Sequence, residues 1–295
     1  MSRITEQRNN ASIEIDEKSI REILEIINCE DGKITKAIHA QLPEIEAAVE
    51  KIIASIQGGG CVYLVGAGTS GRLCVLEASE IPPTFGLSPD KFRAVIAGGV
   101  KAIYESVEAA EDDSIKAGLE MEKLGLGKSD LVIGVTASGS TPYVLGVVEK
   151  ARQMAVETVG VSCNPDTPLS RMVDVAVEVV VGPEVVAGST RMKAGTAQKM
   201  VLNMMTTTAL IRLGYVYDGF MVGVQATNSK LKERSKRIVS DITGASAVEA
   251  EKALLVANWD VRVAVLMVML GMSHGEASEE LAAHTLREII VKDGR

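Results

Sequence analysis

Residues 61–72 read Cys61-Val62-Tyr63-Leu64-Val65-Gly66-Ala67-Gly68-Thr69-Ser70-Gly71-Arg72. An unbroken apolar run passes directly into a turn of glycines and hydroxyls, and that turn opens a segment with helical spacing. A strand with no polar face is one covered on both faces, as in a parallel sheet layered between helices. Four more β-rich runs follow, at residues 92–97, 131–135, 158–163 and 175–181. Helical or loop segments separate them. The pattern predicts an α/β fold, a three-layer α/β/α sandwich around a mainly parallel sheet. Ligands of such sheets lie at the carboxyl ends of the strands, which directs attention to the loops after Val65, Ala97 and Val135.

The rest of the chain fits around that sheet. Its 295 residues suffice for one large α/β domain and a small appendage. Hydrophobic residues at 46% and charged residues at 24% exclude a disordered chain, and aromatics at 3% leave the core to Ala, Val, Ile, Leu and Met. A net charge of −8 argues against a nucleic-acid partner. It also means that a phosphate ligand must be met by local N–H groups and hydroxyls. Cys29, Cys61, Cys74 and Cys163 form no C-x-x-C pair and fall in apolar runs, which reads as buried free thiols in a reducing compartment. Residues 1–10 are polar and carry no apolar signal region, and no run is long enough to span a bilayer, so a cytoplasmic protein is expected without a membrane partner.

Helical spacing runs over residues 13–27, and a second helix follows Pro43 and stops near Gly58-Gly59-Gly60. Residues 194–213 are apolar nearly all round, as in a core helix that also meets a second subunit. Beyond Asn228 come a basic stretch at 230–237 and three short helical patterns, around 248–256, 260–270 and 276–291. This divides the chain into a sheet domain with a helical arm, residues 1–228, and a helical tail, residues 229–295.

Two loops carry chemistry. Gly66 to Gly71 matches G-x-G-x-x-G, but a dinucleotide site also wants an acid at the end of the second strand, where Ala97-Gly98-Gly99 stands. Arg72-Leu73 replaces the Lys and Ser/Thr of a P-loop, which leaves no ligand for Mg²⁺. What remains is a turn at a helix N-terminus, suited to a simple anion. The second loop, Thr136-Ala137-Ser138-Gly139-Ser140-Thr141-Pro142, holds four hydroxyls where capping needs one. Glu80 stands just before Ile81-Pro82-Pro83. A helix ending there puts it in a last turn, where the dipole disfavours a carboxylate and raises its pKa towards that of a general acid. A lone terminal Glu is more often simply solvated. Glu111 lies in an acidic run with Glu108, Asp112 and Asp113, which by itself reads as a solvated face. His39, His274 and His284 have no ligand spacing, so no metal is expected, and none is placed as a base for Ser70 or Ser138.

The strings Gly68-Thr69-Ser70 and Ser138-Gly139-Ser140-Thr141 resemble the sugar isomerase (SIS) domain. Within that superfamily, longer strings are similar to the N-acetylmuramic acid 6-phosphate etherase family. They are Thr5-Glu6-Gln7-Arg8-Asn9, Gly66 to Arg72, Glu77-Ala78-Ser79-Glu80-Ile81-Pro82-Pro83-Thr84, Ala109-Ala110-Glu111-Asp112 and Gly188-Ser189-Thr190-Arg191-Met192-Lys193-Ala194-Gly195-Thr196-Ala197-Gln198-Lys199. They cover almost the whole chain in order, with conservative departures such as Gln7 and Ile81. The resemblance implies a SIS sandwich with a UBA-like helical tail, a homodimer, an amino-sugar phosphate substrate, and no cofactor. It places acid/base roles on Glu80 and Glu111, and substrate or phosphate contacts on Thr69, Ser70, Ser138, Gly139, Ser140, Thr141, Ser189 and Lys193. The implied reaction removes the D-lactyl ether of the sugar by elimination and then adds water. An aldose–ketose isomerase and a non-catalytic sugar-phosphate sensor on the same fold remain the alternatives.

Overall fold

A computed structural model describes residues 3–294. Met1, Ser2, Arg295 and the side chain of Glu108, part of the acidic run above, lie outside the described residues. Helices α1 (Ile20–Asp31), α2 (Ile34–His39) and α3 (Leu42–Gln57) lead to the first strand. Then come β1 (Val62–Gly66), α4 (Gly68–Phe85), β2 (Phe92–Ile96), α5 (Lys101–Tyr104), α6 (Ser114–Leu124), β3 (Leu131–Val135), α7 (Pro142–Gln153), β4 (Glu157–Ser162), β5 (Val175–Glu178) and α8 (Lys193–Arg212). Five helices follow: α9 (Ser229–Thr243), α10 (Ala247–Val256), α11 (Val261–Leu270), α12 (His274–Ala283) and α13 (Leu286–Lys292).

All five strands are parallel, in the order β2-β1-β3-β4-β5. Every residue of β1 and β3 is buried, as their apolar runs require. Sheet growth changes direction at β1, which pairs with β2 on one side and β3 on the other, with Val65 opposite both Val95 and Gly134. The loops leaving β1 and β3 therefore diverge to opposite faces, and the crevice at such a switch point is where these folds bind ligands. The strand expectations hold to within a residue, except that β5 stops three residues early.

Three helix expectations are corrected. The first helix starts at Ile20, not Ile13. Ser19 and Glu22 form a capping box there, and Glu14 at φ 54° and a 3-10 turn at Ile15–Glu17 precede it. The third pattern of the tail splits into α12 and α13, because Thr285 opens a new capping box with Glu288. Most consequentially, α4 does not stop before Pro82. Both prolines lie inside it, and the Gly86 N–H still bonds the Pro82 carbonyl at 2.9 Å. Proline has no N–H, so the carbonyls of Ala78 and Ser79 lose their helical donors while the helix continues.

The chain forms two compact units. The first holds the residues up to Ala78 and Asp90–Thr206, and the second holds Ser79–Pro89 and those from Thr207 onward. In the second, Val239, Leu254, Val261, Ala264, Leu266, Leu286 and Ile290 form a common core. The basic stretch becomes part of α9, where Lys232 lies over the Trp259 ring at 4.9 Å and Lys236 pairs with Glu233 and Glu251. Among the described residues no single helix is long and apolar enough to cross a membrane. Cys74 and Cys163 are buried as expected, whereas Cys61 is partly covered and Cys29, on α1, is exposed.

In the first unit, Glu77 joins α4 to α8. Its buried carboxylate accepts from Asn203 Nδ2 at 2.6 Å and from the Thr206 hydroxyl. Glu77→Ala leaves both donors without this acceptor, an expected loss of about 2–3 kcal/mol. Calorimetry should show melting lowered by about 5–10 °C. A change too small to resolve would mean the clamp contributes nothing.

Candidate functional site

The crevice is built where β1 and β3 end. Gly68, the first residue of α4, has φ 51°, and a Cβ there would lie 2.7 Å from Oε1 of Glu111. The Glu111 carboxyl therefore fills the space that a side chain on the first residue of α4 would take. The backbone carbonyl of Glu111 accepts from the N–H of Tyr143 at 2.9 Å, in the first turn of α7. One residue therefore bridges both loops of the switch point. Arg72 fixes the segment that leads to it, donating from Nε to the Ile103 carbonyl at 3.1 Å and from Nη2 to the Glu105 carbonyl at 2.8 Å.

The β3 loop keeps its hydroxyls together. Thr136 Oγ1 lies 2.7 Å from Thr141 Oγ1 and 3.2 Å from Ser138 Oγ, and Ser138 Oγ also accepts from the N–H and hydroxyl of Ser140, each at 3.2 Å. Thr141 is the N-cap of α7, yet its hydroxyl makes no bond to the helix. Ser138, Ser140 and Thr141 are only half-buried, so a ligand can reach them. Gly139, at φ 69°, allows the tight approach, since a Cβ there would lie 2.3 Å from Thr167.

The start of α8 is arranged differently. Glu184, fully buried, accepts from the N–H groups of Lys193 at 3.0 Å and Ala194 at 2.8 Å. Burial raises its carboxyl above the ordinary range, and those two N–H bonds oppose the rise. The Lys193 side chain is 1% exposed and its ammonium lies 2.5 Å from Oε2 of Glu30. Burial works to raise the Glu30 carboxyl as well, but its bonds to Lys193 and Lys33 prevail and hold it at about 2.

The remaining expected residues divide. Ser70 is buried and donates to Gln198 Oε1 at 2.8 Å, while Thr69 sets its methyl 3.4 Å from where a Cβ of Gly195 would stand. Ser189 is half-buried in the turn before α8. Thr69, Ser70 and Glu111 thus gather on the β1 side and Ser138 to Thr141 on the β3 side, whereas Lys193 is enclosed beneath the α8 start. Glu80 is exposed on α4 and belongs to the second unit. The helix runs five residues beyond Glu80, which therefore does not stand in the expected last turn.

Sequence reasoning missed Asn164, Glu184 and Glu30. Asn164 Nδ2 donates to the Ala137 carbonyl and to the Thr5 hydroxyl, each at 3.0 Å, and Asn164 Oδ1 accepts from the Thr5 N–H at 3.3 Å. The Thr5 carbonyl accepts from the Gly188 N–H at 3.2 Å. Asn164 follows the carboxyl end of β4, where the strand-end rule could have found it. Glu30 and Glu184 carry no local signal. Among the described residues no three His, Cys, Asp or Glu side chains are grouped to hold a metal ion.

The sheet order and these loops define a SIS-domain protein. Residues 107–208 match the SIS domain, and residues 44–152 match the glucokinase regulatory protein N-terminal SIS domain. Among solved structures, the fold is similar to a putative phosphosugar isomerase involved in capsule formation from Bacteroides fragilis, with a TM-score of 0.51 and 18% identity over 69% of this chain and 97% of that one. It is also similar to a phosphoheptose isomerase from Neisseria gonorrhoeae, with a TM-score of 0.50 and 15% identity over 65% and 99%. The sequence is 48% identical over 281 residues to the N-acetylmuramic acid 6-phosphate etherase of Aliivibrio fischeri (strain MJ11), covering 95% of this chain and 94% of that protein. It is likewise 48% identical over 277 residues to the etherase of Shouchella clausii (strain KSM-K16), covering 94% of each. The chain belongs to the N-acetylmuramic acid 6-phosphate etherase family.

The Glu30–Lys193 pair predicts a pH response. The Glu30 carboxyl binds its proton less tightly in the folded chain than at its ordinary value of 4.5, so protonation favours unfolding. Its contribution is complete above that value and is lost as pH falls towards about 2. Glu30→Gln removes this acid-limb slope and leaves a buried ammonium short of its partner, at a cost of about 3–5 kcal/mol. Denaturant midpoints measured from pH 7 to pH 2 should show a gap between parent and variant that narrows with acid. A gap independent of pH would contradict it.

Proposed function

We propose that this chain is a carbon–oxygen lyase that cleaves the D-lactyl ether of N-acetylmuramic acid 6-phosphate, giving N-acetylglucosamine 6-phosphate and D-lactate. The observation that carries the reading is Glu111, whose carboxylate lies against the first residue of α4 while its carbonyl holds the start of α7. A carboxylate is thereby fixed beside a turn of reachable hydroxyls. Relatives matched along 95% of the chain are etherases, which favours this reading over the isomerase and the sensor.

An ether is inert to direct hydrolysis, so the mechanism must first make it a β-leaving group. In the open-chain aldehyde the proton on carbon 2 is acidic. Glu111 removes that proton, the bond from carbon 3 to the lactyl oxygen breaks, and Glu80 gives the departing oxygen a proton. The resulting 2,3-unsaturated aldehyde takes up water: hydroxide equivalent adds at carbon 3, with Glu80 as base, and a proton returns to carbon 2 from Glu111. The net change is ether plus water to two alcohols, with no oxidation. Ser138, Gly139, Ser140 and Thr141 hold the phosphate at the α7 N-terminus, where N–H groups and hydroxyls replace a cation. Thr69, Ser70 and Ser189 line the ring side, and Lys193 serves by fixing the α8 start through Glu30. The protein acts in the cytoplasm as a homodimer.

Purified protein mixed with N-acetylmuramic acid 6-phosphate should release lactate, read with a coupled D-lactate dehydrogenase, in step with N-acetylglucosamine 6-phosphate. Tight binding without lactate would favour the sensor, and a ketose product the isomerase. Glu80→Gln and Glu111→Gln should each lower kcat by about 10²–10⁴-fold with KM little changed. Ser138→Ala and Ser140→Ala should chiefly raise KM. Parental kcat in either Gln variant would remove that residue from the mechanism.

A further inference from the structure

Gly68 differs from the other glycines of its turn. Cβ atoms on Gly66 or Gly71 would collide with backbone, at 2.6 Å from the Gly71 nitrogen and 2.8 Å from the Gly66 carbonyl oxygen respectively, so those positions serve helix–strand packing. A Cβ on Gly68 would meet the carboxyl of Glu111 alone, at 2.7 Å from Oε1 and 3.8 Å from Cδ. We infer that Gly68 is a positioning residue for Glu111: its missing side chain is the space that admits the carboxylate to the start of α4. The inference rests on the proposed role of Glu111 in removing the carbon 2 proton.

Two consequences follow from the geometry. First, a methyl group at Gly68 presses on the end of a flexible side chain and not on backbone, so the carboxylate moves while the fold stays. Second, a small movement suffices, because misplacing a catalytic group by about 1 Å costs on the order of 10²-fold in rate. The positive φ of Gly68 adds backbone strain to any substitution. Gly125→Ala supplies the control for that strain. Gly125 has φ 65°, nothing lies within 4 Å of its Cβ position, and it ends α6 outside the proposed machinery.

The test compares Gly68→Ala, Gly125→Ala, Glu111→Asp, Glu111→Gln and the double variant Gly68→Ala/Glu111→Asp in the lactate assay, with thermal unfolding of each. Gly68→Ala should melt within a few degrees of Gly125→Ala, lose kcat by at least about tenfold relative to it, and keep KM within about threefold. Shortening the acid withdraws it from the methyl, so the two changes should be strongly non-additive. Glu111→Asp should cost at least about tenfold less in the Gly68→Ala background than in the parent. Additive losses, a kcat equal to that of Gly125→Ala, or a Gly68→Ala chain that fails to fold would each overturn the inference. If Glu111→Gln retains parental kcat, the underlying reading of Glu111 fails instead, and with it the reason to position that group.

Discussion

A strand buried on both faces can carry no charged or unpaired polar side chain, and this constraint orders everything else in the sheet unit. With β1 and β3 wholly buried, polar chemistry is confined to their carboxyl ends. Each of those ends feeds a helix whose first N–H groups have no partner within the helix. The starts of α4 and α7, and that of α8 beyond β5, therefore each call for acceptors. Glu111 lies against the first, and Glu184 accepts from the third. The start of α7 instead presents a turn of hydroxyls bonded to one another. With the α8 start already held by Glu184 and Glu111 packed against the first residue of α4, the hydroxyl turn before α7 is the natural place for an anion from outside.

The buried carboxylates at the α8 start show how partners outweigh burial. Glu30 and Glu184 are both nearly inaccessible, and burial pushes both towards the neutral acid. Glu30 receives ammonium donors from Lys193 and Lys33 and ends far below its ordinary value. Glu184 receives neutral backbone N–H groups, and the upward push prevails. Thr5 adds a tie of another kind. Through Asn164 and Gly188 it joins the β3 loop, the β4 loop and the turn before α8, so the N-terminal arm belongs to the crevice and not to a loose end.

The strands and their terminal loops were legible in the sequence because both signals are local: an apolar run and a cluster of glycines and hydroxyls. The run from Val62 to Gly66 announces a covered strand whatever surrounds it. The partners of those loops were not legible. Glu30 meets Lys193, and Thr5 meets Asn164, across more than 150 residues of chain, and no spacing rule reaches that far. Glu111 was visible only through a family likeness, since an acidic run next to Asp112 and Asp113 looks like a solvated surface. The misreading at Pro82 has a different origin. A bias of Ile81 away from helical backbone is modest, and it was overridden in α4, which continues to Phe85.

The hydroxyl turn of β3 has a consequence for how the protein meets its surroundings. Groups that bind by fixed dipoles at contact distance differ from lysines and arginines that attract through the solvent. Mobile ions weaken the latter over a screening length of about 10 Å at 0.1 M salt, but hardly touch bonds made inside a closed contact. A phosphate held on Ser138, Ser140, Thr141 and the first N–H groups of α7 would thus be gripped almost equally in dilute and concentrated electrolyte. In a chain of net charge −8, which offers an anion no long-range welcome, recognition is deferred to the last few ångströms of approach.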